Sequence, residues 1–251
     1  MGAKAFFAWY LDFQTTDSYL KFKTRMPIRD DHLLNVTPKQ AIEIQKSLGK
    51  LVRFKKLIKP EYVAGTDISF SKKTDRVWAG VVVLSYPDLI KKEEKWVDGE
   101  SHFPYIPGLL SFREIPVLLK AIRLLEIQPD LFFCDGQGIA HPRGLGLASH
   151  LGLILNKPTV GCAKSRLVGD YLPVGTEKGN YEYLRYGDRI MGAVLRTRAN
   201  VKPLFISQGH KITLVDCINI VLQCCPRYRV PEPVRQAHHL VERLRKSQEI
   251  D

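Results

Sequence analysis

A short, continuously apolar segment constrains the fold of this chain more than any other feature. Leu131–Cys134 contains no charged or hydrogen-bonding side chain apart from one thiol, and Asp135 follows it directly. A strand that is apolar on both faces must be covered on both faces, which is typical of sheets with helices packed on each side. Because ligands of such sheets collect at the carboxyl ends of strands, Asp135 is predicted to face a crevice.

Strand and helix patterns elsewhere agree with that architecture. The other predicted strands are Tyr62–Phe70, Arg76–Leu84, an exposed strand within Lys91–Glu100, Thr159–Ala163, Ile190–Arg196 and Leu204–Ser207. The predicted helices are one that starts at Thr37 and buries Ala41, Ile44, Leu48 and Val52, then Phe112–Leu125, Gly144–Leu155, Val215–Cys224 and Pro233–Lys246. This order indicates an α/β chain with a mixed central sheet and helices on both faces.

The composition favours a polyanionic partner. The chain has 251 residues with 38 Lys and Arg against 26 Asp and Glu, which gives a net charge of +12. Each contact of a basic side chain with a phosphate releases counterions, so this balance points towards nucleic acid. Five cysteines without a CxxC pair predict reduced, buried thiols. No apolar run approaches about 20 residues, so we expect a cytoplasmic protein that does not enter the membrane.

Three acidic residues are candidates for a metal site. Asp67 lies within a predicted strand, Asp135 follows the buried strand, and Glu114 begins an amphipathic helix. Each has an ordinary explanation when it is taken alone: a strand-edge Asp, a turn Asp beside glycines, and an acid favoured by the helix dipole. Together they are hard oxygen ligands that suit Mg²⁺ or Mn²⁺. We therefore predict that the three side chains meet in one cleft.

A stiff loop precedes the helix that carries Glu114. Pro104 and Pro107 flank Tyr105 and Ile106 and exclude an ordinary helix there. A rigid loop with an aromatic tip can wedge between bases and support an extruded nucleotide. The simpler explanation is a tyrosine that packs on the body of the protein, and the loop alone does not separate the two.

Several motifs, in this order along the chain, resemble those of the endonuclease V family. They are Val63–Phe70, Pro104–Gly108 with Phe112–Glu114, Asp135–Gly138 with His141–Arg143, Gly146–Gly152, Pro158–Leu167, Gln208–His210 and Pro231–His238. The resemblance covers about residues 36 to 246. It implies an RNase H-like fold, with one catalytic domain over residues 36–251 and an N-terminal extension of unassigned role over residues 1–35.

The resemblance also implies an activity. It is that of a Mg²⁺-dependent endonuclease, with Mn²⁺ able to substitute, that recognises deaminated purines in DNA, chiefly deoxyinosine. The cut would fall at the second phosphodiester bond 3′ to the lesion, leaving 3′-hydroxyl and 5′-phosphate ends and initiating DNA repair. We expect the protein to act as a monomer.

Residue roles follow from the resemblance position by position. Asp67, Glu114 and Asp135 would hold the metal and act in catalysis, and His238 would lie beside the metal or the phosphate. The implied substrate contacts are Tyr105, Ile106, Pro107, Gly108, Gly136, Gly138, His141 and Lys164. Without the resemblance, His238 would be taken for a surface histidine early in a helix.

Three alternatives remain open from the sequence. An inosine-specific endoribonuclease would carry the same motifs and act on RNA. A non-catalytic inosine-binding protein is the second, although the complete acidic trio argues against it. The third is another RNase H-like nuclease, such as a junction resolvase, which would not need the Pro-Tyr-Ile-Pro loop.

Overall fold

The structure is a computed structural model that describes residues 31–33 and 35–249 of the chain. Its strands are β1 (Tyr62–Phe70), β2 (Arg76–Ser85), β3 (Lys91–Glu100), β4 (Leu131–Cys134), β5 (Thr159–Ala163), β6 (Tyr181–Tyr186), β7 (Arg189–Leu195) and β8 (Leu204–His210). Its helices are α1 (Pro38–Gly49), α2 (Leu110–Ile122), α3 (Leu147–Leu155), α4 (Leu214–Gln223) and α5 (Glu232–Gln248), and a 3-10 turn covers Asp31–Leu33.

The strands form one mixed sheet in the order β3-β2-β1-β4-β5-β8-β7-β6. The pairs β1–β4 and β4–β5 are parallel. The remaining pairs are antiparallel. The parallel arrangement puts the carboxyl ends of β1, β4 and β5 side by side at one edge of the sheet, where crevices form in α/β folds.

Helices cover both faces of the sheet, as predicted. Phe132 and Cys134 of β4 pack in one core with α2 and α3. Leu131 and Phe133 pack in another core with α4 and α5. All four residues of β4 are fully buried. The strand is continuously apolar because its alternate side chains enter two different cores, one on each face of the sheet.

The helix predicted to start at Thr37 forms α1, and Thr37 with Gln40 makes a capping box there. Its buried stripe differs from the prediction. Ala41 and Leu48 are buried, but the next buried position is Gln45 rather than Ile44. The amide of Gln45 donates hydrogen bonds to the backbone carbonyls of Gly108 and Leu145, and these bonds offset the cost of burying it.

The exposed strand expected within 91–100 is present as β3, whereas β6 was not predicted. The predicted 1–35 extension lies almost entirely outside the described residues. All five cysteines are free and buried, which confirms that prediction. None of the helices in the described residues has the length and apolar character needed to cross a membrane, and the cytoplasmic location stays a prediction.

Candidate active site

The three candidate carboxylates lie on the wall of one open cleft of about 750 Å³. The register of the parallel pair explains how two of them meet. Thr66 of β1 is opposite Cys134 of β4, so Asp67 and Asp135 follow at the same level. Glu114 enters from the first turns of α2, whose start also lines the cleft. The structure thus brings together the acidic trio that the sequence predicted.

The trio has an unfavourable concentration of negative charge. Burial raises the pKa of Asp67, and the nearby charge of Asp135 raises it further. Burial raises the pKa of Glu114 well above its usual range, and repulsion from Asp67 and Asp135 adds to the shift. No hydrogen bond contributes to the pKa of Glu114. A site of this kind favours the arrival of positive charge.

Two basic side chains already partner two of the carboxylates. The Nζ of Lys164 donates to Oδ2 of Asp135 at 2.5 Å. The Nδ1 of His238 lies 2.8 Å from Oδ2 of Asp67, and that hydrogen bond raises the pKa of His238. Because Nδ1 is engaged by the carboxylate, the other ring nitrogen of this half-exposed histidine is the one left to meet solvent or substrate.

The chemistry of the trio fits a hard divalent cation such as Mg²⁺, which prefers carboxylate oxygens. In the arrangement seen for residues 31–33 and 35–249, however, no group of three His, Cys, Asp or Glu side chains could hold a metal ion. We attribute the difference to Lys164 and His238, which direct one oxygen of Asp135 and one of Asp67 towards nitrogen atoms.

His238 reaches Asp67 because α5 packs directly on the backbone of β1. Gly65 lies two residues before Asp67 and so on the same face of the strand. A Cβ added at Gly65 would lie 2.0 Å from the carbonyl oxygen of Pro233, at the start of α5. Gly80 is opposite Asp67 in β2, and a Cβ there would lie 2.8 Å from Val241. Both glycines are signals of close approach that the sequence contained and that our prediction did not use.

The predicted wedge loop stands at the mouth of the cleft. The side chain of Tyr105 is 71% exposed rather than packed on the body, and Ile106, Pro107 and Gly108 line the cleft with it. Gly108 has a φ of 81°, in the region that favours glycine.

The base of the loop is anchored by three donors on one oxygen. The carbonyl of Gly108 accepts hydrogen bonds from Gln45 Nε2 at 2.9 Å, His141 Nε2 at 2.9 Å and Arg143 Nη2 at 2.8 Å. Arg143 Nε also donates to Gln45 Oε1 at 2.6 Å. Gln45 belongs to a distant helix, so sequence reasoning had no signal with which to find it.

His141 lines the cleft but is 2% exposed. Burial lowers its pKa to about 4, so the ring is neutral near pH 7. Since a carbonyl can only accept, Nε2 is the protonated ring nitrogen and donates to the carbonyl of Gly108, while Nδ1 accepts from the backbone N–H of Arg143. The structure thus gives this predicted contact residue a place in the anchor of the loop.

The two glycines after Asp135 have different surroundings. Gly136 lines the cleft, as predicted. Gly138 does not: its N–H donates to Ser207 Oγ at 2.8 Å, and an added Cβ would lie 2.0 Å from the carbonyl oxygen of Gln208. Close packing against β8 is a separate reason for glycine at this position, and the substrate contact of Gly138 stays a prediction.

Basic residues that the prediction did not name also line the cleft. Arg113 and Arg166 contribute to its wall, beside the predicted Lys164. Arg113 stacks over the ring of Phe70 at 4.5 Å, and Arg166 donates to Asp170 at 2.7 Å. Three cations around an acidic trio suit a site that must accept a phosphate backbone as well as a metal ion.

Known proteins with related sequences match most of the chain. A family model described as Endonuclease V matches residues 45–239. The Endonuclease V of Dehalococcoides mccartyi is 52% identical over 212 residues, which are 84% of this chain and 95% of that protein.

Solved structures give the same comparison for the fold. The Endonuclease V of Streptomyces avermitilis has a TM-score of 0.82 and 38% identity, over 90% of this chain and 100% of that one. The Ciona intestinalis Endonuclease V, in complex with a 24mer DNA containing an inosine followed by a ribo-adenosine, has a TM-score of 0.75 and 29% identity. It covers 83% of this chain and 98% of that one. These similarities confirm the expected RNase H-like fold.

Proposed function

The chain belongs to the endonuclease V family, and from this premise we propose that it cuts DNA beside deaminated purines, chiefly deoxyinosine, as a first step of repair. The observation that carries the proposal is the cleft itself, where Asp67, Glu114 and Asp135 converge beneath an exposed Tyr105. The inosine-containing DNA in the Ciona relative supports the same substrate class. The proposed cut is at the second phosphodiester bond 3′ to the lesion.

Asp67, Glu114 and Asp135 would hold the metal ion, for which we propose Mg²⁺ with Mn²⁺ as a substitute. When bound there, such an ion supplies charge to a phosphate oxygen and makes water more acidic. The carboxylates need that charge, because burial and mutual repulsion raise the pKa of Glu114 well above its usual range. Lys164, whose ammonium now neutralises Asp135, would then be free to bind a substrate phosphate.

His238 has a separate role in the proposed reaction. As water forms its bond to phosphorus and releases a proton to solvent, the bond to the 3′ oxygen breaks, and the departing oxygen takes up a proton. The hydrogen bond to Asp67 orients the imidazole and raises its pKa, so more of the ring is protonated near neutral pH. A histidine in that state can hold the phosphate or protonate the leaving oxygen.

The anchored loop would select the lesion. Tyr105 would enter the base stack, and the extruded base would contact main chain around Gly108 and Gly136, which line the cleft. A close-fitting main-chain pocket would accept hypoxanthine and disfavour the additional amino group of guanine. Inosine pairs weakly, so its extrusion costs less than that of a normal base.

A nicking assay tests the proposal. A duplex with one deoxyinosine should be cut with Mg²⁺ and remain intact with chelator, whereas a matched duplex without inosine should remain intact in both. Asp67→Ala and Asp135→Ala should abolish cutting and retain binding. Asp98 is an exposed residue of β3 whose carboxylate is paired with Arg76 of β2, and the control variant Asp98→Ala should cut normally. Full Mg²⁺-dependent activity in both site variants would remove the carboxylates from the mechanism.

The same assay separates the alternatives when its substrate is varied. Further arms carry inosine in RNA and inosine followed by a ribo-adenosine in DNA. Cutting of the RNA alone would identify an endoribonuclease, and binding without cutting of any strand would identify an inosine-binding protein. We also propose that residues 36–251 carry the catalysis in a monomer, so a chain that starts at residue 36 should cut at the wild-type rate and sediment as one copy.

A further inference from the structure

A second positively charged surface lies outside the cleft. Arg53, Phe54 and Lys55 form an exposed segment after α1, and the side chain of Phe54 is 51% exposed. Lys157 follows α3 and Lys211 follows β8. We name these five residues the flank patch. An exposed aromatic ring among cations is a combination that binds nucleic-acid strands in other proteins.

The fold, rather than a loose tail, holds the flank patch together. The backbone N–H of Lys211 donates to the carbonyl of Arg53 at 2.7 Å, and the N–H of Arg53 donates to His210 Nδ1 at 3.3 Å. Lys211 Nζ reaches the carbonyl of Asn156 at 3.0 Å. Three separate chain segments are thus joined at one place.

Like charges accumulate in the flank patch. Burial lowers the pKa of Lys211, and the charges of Lys55 and Lys157 lower it further. The charges that act on His210 are again all positive: Lys211, Arg53 and Lys55. The acid nearest to Lys211 in sequence, Asp216, is engaged by the N–H of Leu57 and the hydroxyl of Thr213. No acidic side chain of the described residues is among the charges that act on Lys211 or His210, so the positive charge of the patch is open to an anionic partner.

The flank patch lies one helix length from the cleft. Leu147 at the start of α3 lines the cleft, and Lys157 lies just after the end of that nine-residue helix. Nine residues of α-helix span about 14 Å, which is about four base pairs at 3.4 Å each. Gln45 in the second half of α1 also lines the cleft, and Arg53 lies four residues after the end of that helix. The backbone of a bound duplex could therefore extend from the cleft to the patch.

We propose that the flank patch is a second contact for the nucleic-acid backbone, about four to six base pairs from the lesion. This inference rests on the proposed function of the cleft. The ends of two helices explain part of the patch, because Lys211 and Arg53 donate to carbonyls of Asn156 and Lys50 at the ends of α3 and α1. Lys55 and Lys157 have no such side-chain bond among the described residues, so they carry the test.

The experiment compares the double charge reversal Lys55→Glu/Lys157→Glu with the control Lys92→Glu/Lys120→Glu. The control changes the net charge equally at two exposed lysines of β3 and α2. Binding of each protein to a deoxyinosine duplex of about 30 base pairs is measured from 50 to 200 mM salt. Loss of two phosphate contacts reduces the slope of log K against log salt by about 1.8, so wild-type affinity should fall about twelvefold more than that of the reversal over this range.

The position of the lesion then locates the contact. The reversal should act fully when the lesion is central, and lose its effect when the lesion lies about three base pairs from one particular end. The reversal should cleave that end-placed substrate at the same rate as the wild type, which keeps failure of this inference distinct from failure of the proposed function. The neutral variant Lys55→Gln/Lys157→Gln loses the same two contacts and should show the same pattern with a similar change of slope. Equal slopes for reversal and control, or equal losses with the lesion at either end, would overturn the inference.

Discussion

Replacement of Gly65 by alanine should uncouple His238 from the carboxylates. The added Cβ would lie 2.0 Å from the carbonyl oxygen of Pro233, whereas real contacts of this kind stay above 3.0 Å. Helix α5 must therefore retreat by about 1 Å, because β1 is fixed between two neighbouring strands. That shift would stretch the 2.8 Å bond between His238 and Asp67 beyond hydrogen-bond length. We expect about a 10²-fold loss in kcat/KM and about 1–3 kcal/mol lower stability.

The assay is single-turnover nicking of a deoxyinosine duplex, with melting followed in parallel. Gly99→Ala is the matched control, since a Cβ added to that β3 glycine meets Val117 at an ordinary 3.7 Å. A double-mutant cycle with His238→Ala isolates the mechanism, because Gly65→Ala should cost little further activity once the imidazole is absent. Equal activity of Gly65→Ala and Gly99→Ala would refute the reasoning, as would full additivity with His238→Ala.

Three further predictions concern the cleft and its loop. Glu114→Gln should raise the melting temperature at pH 8 in chelator. Because the pKa of Glu114 is raised in the folded protein, the stability of the wild type falls as the pH rises above about 4.5 through the folded-state pKa. A wild type that melts at a higher temperature than the variant at pH 8 would contradict this. Gln45→Ala removes one of three donors to the Gly108 carbonyl, so KM for the inosine duplex should rise about fivefold with kcat little changed; an unchanged KM would show that the anchor does not position the loop. Tyr105→Ala should weaken lesion binding by about 1–3 kcal/mol in a fluorescence titration, and unchanged affinity would exclude the wedge.

The centre of the sheet could be predicted because its residues are selected by burial alone. Strands β1, β4 and β5 begin and end where the apolar patterns placed them. The edge could not. In β6 only Leu184 is buried, and Tyr181, Tyr183 and Tyr186 are exposed. No alternating apolar pattern therefore marks the strand. It is held by pairing with β7, a contact between chain segments that composition does not reveal.

The site divides in the same way. Asp67 and Asp135 could be predicted because each interrupts or ends an apolar strand, where a carboxylate needs a reason. Gln45 could not, since a single polar residue on a helix gives no indication that it faces Gly108 and Leu145 across the fold. The packing of Gly138 against Gln208 could not be predicted either, because glycine beside a substrate and glycine beside another strand look alike in sequence.

The bond between Asp67 and His238 joins positions 171 residues apart. Chain closure over such a separation is slow compared with the formation of local hairpins and helices. Intermediates with an assembled sheet but an undocked α5 would hold the carboxylates without their imidazole. A nuclease built in this way needs α5 docked on β1 before it can cut, so a molecule that is locally open at α5 is restrained from damaging the nucleic acid it meets.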